Sequence, residues 1–149
     1  MLNYVLDASV LVSLFRGERE AEKIATILPV SCVTNFNFFE TASVLLKMKI
    51  PEHSALEFLT LIQRDFGLHL LSASEELSYG FGSALSIIPV SWEYTDSAGK
   101  KKANNLGIHD RWCMAYALSN NLIAMTNDKA WLNVARKIQN LKVIYMREV

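Results

Sequence analysis

Short, mostly apolar runs alternate along this chain with longer stretches whose apolar residues recur at helical spacing. Asn3–Leu6 (NYVL), Val30–Val33 (VSCV), Leu68–Leu71 (LHLL), Leu122–Thr126 (LIAMT) and Leu141–Met146 (LKVIYM) are runs of the first kind. Each is strand-sized and apolar on both sides of the pleat, which predicts strands buried from both faces. Between them, Ala8 to Phe15 predicts a helix, with Ser9 near its start and Gly17 past its end. Glu18 to about Leu28 predicts a second, with Ala21, Ile24, Ala25 and Leu28 on one face and Pro29 stopping it. Thr34 or Asn35 is placed to cap a helix that runs to about Met48 and carries Phe38, Thr41, Ala42 and Leu45 on one stripe. Pro51 opens the next, through Phe58, Leu59 and Ile62 to Gly67. Ser72 or Ser74 begins another, carrying Leu77, Phe81, Leu85 and Ile88 in spite of Gly80 and Gly82. Ile108 to Ser119 and Lys129 to Ile138 are the last two. From Pro89 to Leu106 the pattern dissolves into polar and turn residues, among them DSAGKKK (Asp96 to Lys102) and Asn104-Asn105, so residues 89–105 are expected to form the one long loop.

Strands that alternate with helices and are apolar along their whole length predict a short-stranded, mostly parallel central sheet with helices on both faces, a three-layer α/β/α fold. In such folds function collects at the carboxyl ends of the strands.

Composition narrows the picture. The 149 residues fit one domain, 1–149, able to bury about two-thirds of its unfolded surface. An apolar fraction of 51% with 20% charged residues excludes a disordered chain. Fifteen basic and fifteen acidic side chains cancel, which argues against coating DNA by overall positive potential. It leaves room for a local basic rim around an acidic, metal-filled centre. Cys32 and Cys113 each lie in an apolar run and read as buried thiols of a reduced cytosol. The opening MLNYVLDASV has no charged leader or small-residue cleavage site and reads as the first strand. No apolar run approaches the ~20 residues that cross a bilayer. A soluble, cytoplasmic protein without a membrane partner is expected.

Asp7 follows the first strand directly and Asp128 the fourth, so both should project from one edge of the sheet. Glu40 lies in the first turns of its helix and Asp110 near the start of its own, and helices in this architecture begin at that same edge. Carboxylates gathered so closely raise one another's pKa. A divalent cation resolves the repulsion: Mg²⁺ and Mn²⁺ prefer hard oxygen ligands, keep several waters and can activate one toward a phosphodiester. Each residue also has a plainer use. Asp7 could cap the helix after it, Glu40 could answer a helix dipole, Asp110 could pair with Arg111, and Asp128 could cap the helix of Trp131.

The segment YVLDASVLVSLFRGE resembles the opening of PIN domains, a hydrophobic strand ending in Asp followed by a small residue and Ser or Thr. VTNFNFFETASVLLKM is similar to the second PIN motif, and LGIHDRWCMAYALSNNLIAMTNDKAW to the third and fourth, with LKVIYM as the closing strand. The resemblance covers essentially the whole chain, and its length is that of VapC-like toxins of type II toxin–antitoxin pairs. It implies a PIN-like fold in which Asp7, Glu40, Asp110 and Asp128 are catalytic and hold Mg²⁺ or Mn²⁺, with Ser9, Thr126 and Asn127 positioning the carboxylates. It implies endonucleolytic cleavage of RNA such as tRNA or rRNA, a homodimer, and a cognate antitoxin with a segment in the active-site groove. Two features depart from the pattern. His109 stands where relatives often have a small residue, and either contacts substrate or is a partly exposed helix-start histidine. Lys100, Lys101 and Lys102 could touch an RNA backbone or be a solvated charge run, and Trp92 and Tyr94 could stack on a base or pack against the domain. Trp112 and Trp131 read as core or dimer-surface residues, and His53 and His69 receive no role. Two other readings are a catalytically silent PIN-like module that binds RNA or protein, and a phosphohydrolase of small substrates. The second lacks a Gly-rich phosphate cradle.

Overall fold

A computed structural model describes residues 1–148 of the chain. Five short strands, β1 (Tyr4–Leu6), β2 (Ser31–Val33), β3 (His69–Leu70), β6 (Ile123–Thr126) and β7 (Lys142–Tyr145), form one sheet in the order β3-β2-β1-β6-β7. Every neighbouring pair is parallel. Helices α1 (Ala8–Phe15), α2 (Ala21–Ile27), α3 (Asn35–Lys47), α4 (Glu52–Arg64), α7 (Ile108–Ser119) and α8 (Ala130–Ala135) connect and cover it.

The apolar runs are explained by what lies on either side of the pleat. Val5, Cys32 and Ala124 join Cys113, Met114 and Trp131 in one buried cluster. Leu6, Val33 and Met125, their immediate neighbours in the chain, join Val10, Leu11, Ile24 and Leu28 in another. Successive residues of a strand face opposite sides, so a strand covered on both sides has no polar position to spare.

The register places the site. Leu6 pairs with Met125, and the Asp7 amide donates to the Met125 carbonyl at 2.9 Å. Asp7 and Thr126 therefore leave the sheet side by side. From β1 the chain crosses to β2 on one side, whereas β6 lies on the other. Connections diverging from two adjacent strand ends leave a crevice between them, the usual place for a ligand in an open α/β sheet.

Three local expectations are corrected. The long loop at 89–105 is an antiparallel hairpin, β4 (Ser91–Thr95) with β5 (Lys101–Asn105). Its turn is built by Asp96, whose carboxylate accepts from the Ala98 and Lys100 amides, both at 2.9 Å. SWEYT alternates with period two, but KKANN has Ala103 as its one apolar residue and is exposed throughout, so hydrophobicity gave its strand no signature. The helix carrying Leu77 to Ile88 is two helices, α5 (Ala73–Glu76), closed by a Ser72–Glu75 capping box, and α6 (Phe81–Ile87). Gly80, at φ +88°, makes the break; a left-handed residue cannot continue an α-helix. Pro29 does not end helicity outright, since Leu28–Val30 adds a turn of 3₁₀-helix before the second strand, which starts at Ser31. Among the described residues no helix is long and apolar enough to cross a membrane.

Candidate active site

Asp7 occupies the N-cap position of α1, yet its side chain makes no capping bond. One carboxylate oxygen, Oδ2, instead accepts from Ser9 Oγ at 2.7 Å and Thr126 Oγ1 at 2.9 Å. Each hydroxyl is also an acceptor, Ser9 Oγ from the Asn127 amide and Thr126 Oγ1 from the Asp128 amide, both at 2.9 Å. A hydroxyl has one proton to give, and an N–H aimed at its oxygen leaves Asp7 as the recipient. This arrangement ties the loop 126–128 to Asp7 and fixes where Asp128 emerges. Burial pushes the Asp7 carboxyl up to about 6, against the two hydroxyl bonds that favour its ionised form and with the charge of Glu40 adding to the rise.

Asp110, in the first turn of α7, is half-buried. Its carboxyl is raised to about 7, first by burial and then by the charges of Asp7, Glu40 and Asp128. It does not pair with Arg111, whose guanidinium turns to the Leu85 and Ile88 carbonyls. Glu40 projects from the second turn of α3, and its Oε2 is buried without a hydrogen-bond partner. Asp128 is exposed, and its Oδ1 accepts from the Ala130 amide at 3.0 Å at the start of α8. Asp128 thus satisfies the first amide of α8 from one residue before its N-cap, whereas Asp7 makes no capping bond.

These carboxylates, from four separate segments, line one open cavity of about 400 Å³ together with Ser9, Val12 and Val44, and with Arg16, Glu18 and Arg147 at its rim. A separate groove, lined by Leu14, Phe15, Leu28, Phe58, Leu61 and Phe66, is apolar and holds no titratable group.

The donor set fits a hard divalent cation. Two of its acids are held near neutrality by burial and mutual repulsion, one carboxylate oxygen is buried and unpartnered, and every donor is oxygen. Among the described residues no three His, Cys, Asp or Glu side chains already stand as a ready-made ligand cage. That is compatible with Mg²⁺, which commonly takes one or two carboxylates and keeps water on its remaining positions.

Sequence reasoning missed a second layer of residues. Glu20 is 5% exposed and accepts from Ser13 Oγ at 2.6 Å and Asn127 Nδ2 at 3.1 Å, with Arg147 Nε at 3.7 Å. Burial raises its carboxyl, but the Ser13 bond, Arg147 and Asn127 outweigh that and hold it below the usual range. Arg147 also meets Glu18 at 3.2 Å, and its carbonyl accepts from Arg19 at 2.8 Å, so the C-terminal turn is strapped to the α1–α2 connection beside the cavity. Nothing in the spacing of Glu20, Asn127 and Arg147 announces this; only tertiary structure joins them. Asn37, one helical turn before Glu40 on α3, is fully buried with neither amide atom hydrogen-bonded. That placement, at i−3 from a candidate ligand, was the one signal available for it.

Other candidates lie elsewhere. Lys100, Lys101 and Lys102 are exposed on the hairpin, outside the acidic cavity, and Lys102 pairs with Asp96 at 3.3 Å. His109, beside Asp110, packs edge-on against Phe36 with ring centroids 5.5 Å apart. Trp131 is fully buried, Trp112 is half-buried and donates to Glu76 at 3.3 Å, and both cysteines are buried free thiols.

No curated protein matches the chain by sequence. Solved structures match its fold across nearly its full length. VapBC2 from Rickettsia felis, bound to a DNA fragment from its promoter, is 14% identical over 96% of this chain and 98% of that one, with a TM-score of 0.65. VapBC-1 from nontypeable Haemophilus influenzae is 16% identical over 98% and 99%, with a TM-score of 0.64. DNA-bound VapBC from Salmonella typhimurium is 14% identical over 97% and 98%, with a TM-score of 0.61. The model of the PIN domain matches residues 4–137, from the first strand to beyond Asp128. This chain belongs to the PIN-domain family.

Proposed function

We propose that this protein is a metal-dependent endoribonuclease and the toxin of a toxin–antitoxin pair, with Asp7, Glu40, Asp110 and Asp128 as its catalytic carboxylates. One observation carries the reading: acids from four distant segments share one cavity in a chain of zero net charge. Without a counter-cation that arrangement costs stability at neutral pH. Membership of a nuclease family supports hydrolysis as the chemistry, and the VapBC complexes of similar fold support an antitoxin partner.

In this reading Asp7, Asp110 and Asp128 hold Mg²⁺ or Mn²⁺, directly or through water, and the free oxygen of Glu40 orients the attacking water. The metal, when bound, supplies charge for the phosphate's developing negative charge and a nucleophile at neutral pH. Ser9 and Thr126 keep Asp7 in one orientation by donating to the same oxygen. Asn127, held by Glu20 and Ser9, sets the peptide from which Asp128 projects. Val12 and Val44 give the cavity an apolar wall that limits bulk water. An antitoxin segment entering the cavity would inhibit by occupying the carboxylates. A homodimer and a cytoplasmic location complete the proposal.

The test is cleavage of total cellular RNA by the purified protein with Mg²⁺ or Mn²⁺, beside Asp7→Asn and an EDTA control. Discrete fragments that vanish in both controls are expected. Full activity in Asp7→Asn would sink the assigned site. The competing reading is a silent PIN-like module that binds RNA or protein. A calorimetric titration with no divalent-metal binding, in protein free of inhibitor, would select it.

A further inference from the structure

The hairpin that replaces the expected loop creates a further concave surface. Tyr94 and Asn104 on one side, and Lys129, Asn133 and Arg136 on the other, line a groove of about 390 Å³ between β4–β5 and α8. We infer that this groove binds the sugar–phosphate backbone of a single-stranded RNA segment that continues outward from the acidic cavity. The inference rests on the ribonuclease reading and extends it by a substrate-binding site of this chain's own.

Continuity is the first ground. Asp128 lines the acidic cavity and the next residue, Lys129, lines the groove, so the two concavities come within one residue of each other at the start of α8. A strand whose scissile phosphate sits among the carboxylates has the groove as its neighbouring seat on that side.

Charge is the second. The chain as a whole is neutral, but Lys100, Lys101, Lys102, Lys129, Arg136 and Lys137 concentrate on the hairpin and around α8, against Glu93, Asp96, Asp128 and Glu148. The strand register decides which face they take. Tyr94 pairs with Lys102 and Trp92 with Asn104. Directly paired residues share a face, so Lys102 stands on the side of Tyr94 and Asn104. Two of these cations are tied to surface acids, Lys102 to Asp96 at 3.3 Å and Lys129 to Glu148 at 3.4 Å. Exposed pairs of this kind contribute little and give way readily to a phosphate. Among the described residues Arg136 meets no carboxylate; its side chain contacts only the Asn133 amide oxygen, at 3.3 Å.

Chemistry of the lining is the third. Trp92 is buried and packs on Tyr94 with centroids 4.8 Å apart. It thereby supports the Tyr94 ring, which is half-buried and borders the groove. A supported aromatic beside cations and amides is the combination that holds single-stranded nucleic acid, with stacking for the bases and Lys or Arg for the backbone. Duplex is disfavoured because its bases are not free to stack.

The test uses the full chain carrying Asp7→Asn, so that RNA is held and not cut, with a fluorescein-labelled single-stranded 20-mer in Mg²⁺ buffer. Adding Lys102→Ala and Arg136→Ala, both at exposed positions, should weaken binding roughly tenfold at low salt and lower the slope of log K against log salt by about 1.4, at ~0.7 per phosphate contact on a single strand. Tyr94→Leu, which keeps the packing and removes the platform, should weaken it about five- to hundredfold with the salt slope unchanged. Equal affinities and slopes in all variants would overturn the groove and leave the nuclease reading standing. Failure of the Asp7→Asn parent to bind RNA would overturn the groove too, whereas the nuclease reading falls only if the wild-type chain cuts no RNA. Unchanged RNA affinity with lost binding of a co-expressed antitoxin would overturn it by assigning the surface to a protein.

Discussion

Removing the charge of Asp7 should stabilise the metal-free protein while abolishing its activity. The buried carboxyl has a folded pKa of about 6 against an ordinary 3.8. The folded state therefore holds the proton more tightly than the unfolded chain does, and stability falls as pH rises between those two values. Below about pH 4 both states are protonated and the site costs nothing. Above about pH 7 both are ionised and the cost is complete. Two pKa units correspond to about 3 kcal/mol at ~1.4 kcal/mol each. Asn is nearly isosteric, and its amide oxygen can accept the same bonds from Ser9 and Thr126, so Asp7→Asn removes the charge and keeps the geometry. In EDTA at pH 8 the variant should melt about 6–12 °C above wild type, from ~2–4 °C per kcal/mol for a chain of this size. The gap should close as the pH falls to about 4. Adding Mg²⁺ should raise the wild-type melting temperature and leave the variant nearly unmoved, because a ligand stabilises only the state that binds it. Differential scanning fluorimetry across pH 4–8, with and without metal, measures all of this. A variant no more stable than wild type at pH 8 without metal, or a gain that persists undiminished at pH 4, would refute the reasoning.

Three further outcomes follow from other parts of the structure. Glu20→Gln, which keeps the shape but not the charge, should cost about 1.5–3 kcal/mol at pH 7 by weakening bonds to a charged acceptor. Because the Glu20 carboxyl lies below its ordinary range, that loss should fade as the pH drops through it, opposite in sign to Asp7→Asn in the same melting series. Cys32 and Cys113 should resist a thiol reagent until the protein is denatured, since burial raises the first thiol to about 12 and the second well above its usual value. Rapid labelling in native buffer would contradict their placement. Gly80→Ala should destabilise by about 1–2 kcal/mol in chemical denaturation, from the left-handed backbone alone, because the nearest atom to an added Cβ is Ser119 Cβ at 4.0 Å.

Much of this protein is legible in the chain as written. A strand covered on both faces is mostly apolar, so the sheet's strands stand out as short apolar runs, and their alternation with helices leaves a parallel α/β/α arrangement as the natural outcome. The same logic places Asp7 and Asp128 at strand ends, and Glu40 and Asp110 on helices that begin at that edge; all line one cavity. What was illegible has a physical reason in each case. The β4–β5 hairpin packs one face on the domain and offers the rest to solvent, so KKANN carried no hydrophobic pattern and its strand was hidden. Gly80 breaks the expected stripe, leaving Leu77 exposed before it and Phe81 and Ile88 buried after it, but helical spacing runs across the glycine in the sequence and disguises the break. Glu20 is separated from Asn127 and Arg147 by more than a hundred positions and by a mere 3–4 Å of space; no local rule connects them. Local propensity and periodicity are properties of neighbours in the chain, and they determined the elements and the edge at which the acids gather. Hydrogen-bond partners, the orphaned oxygen of Glu40 and the groove beside α8 depend on which elements pack together, and the tertiary structure alone decided them.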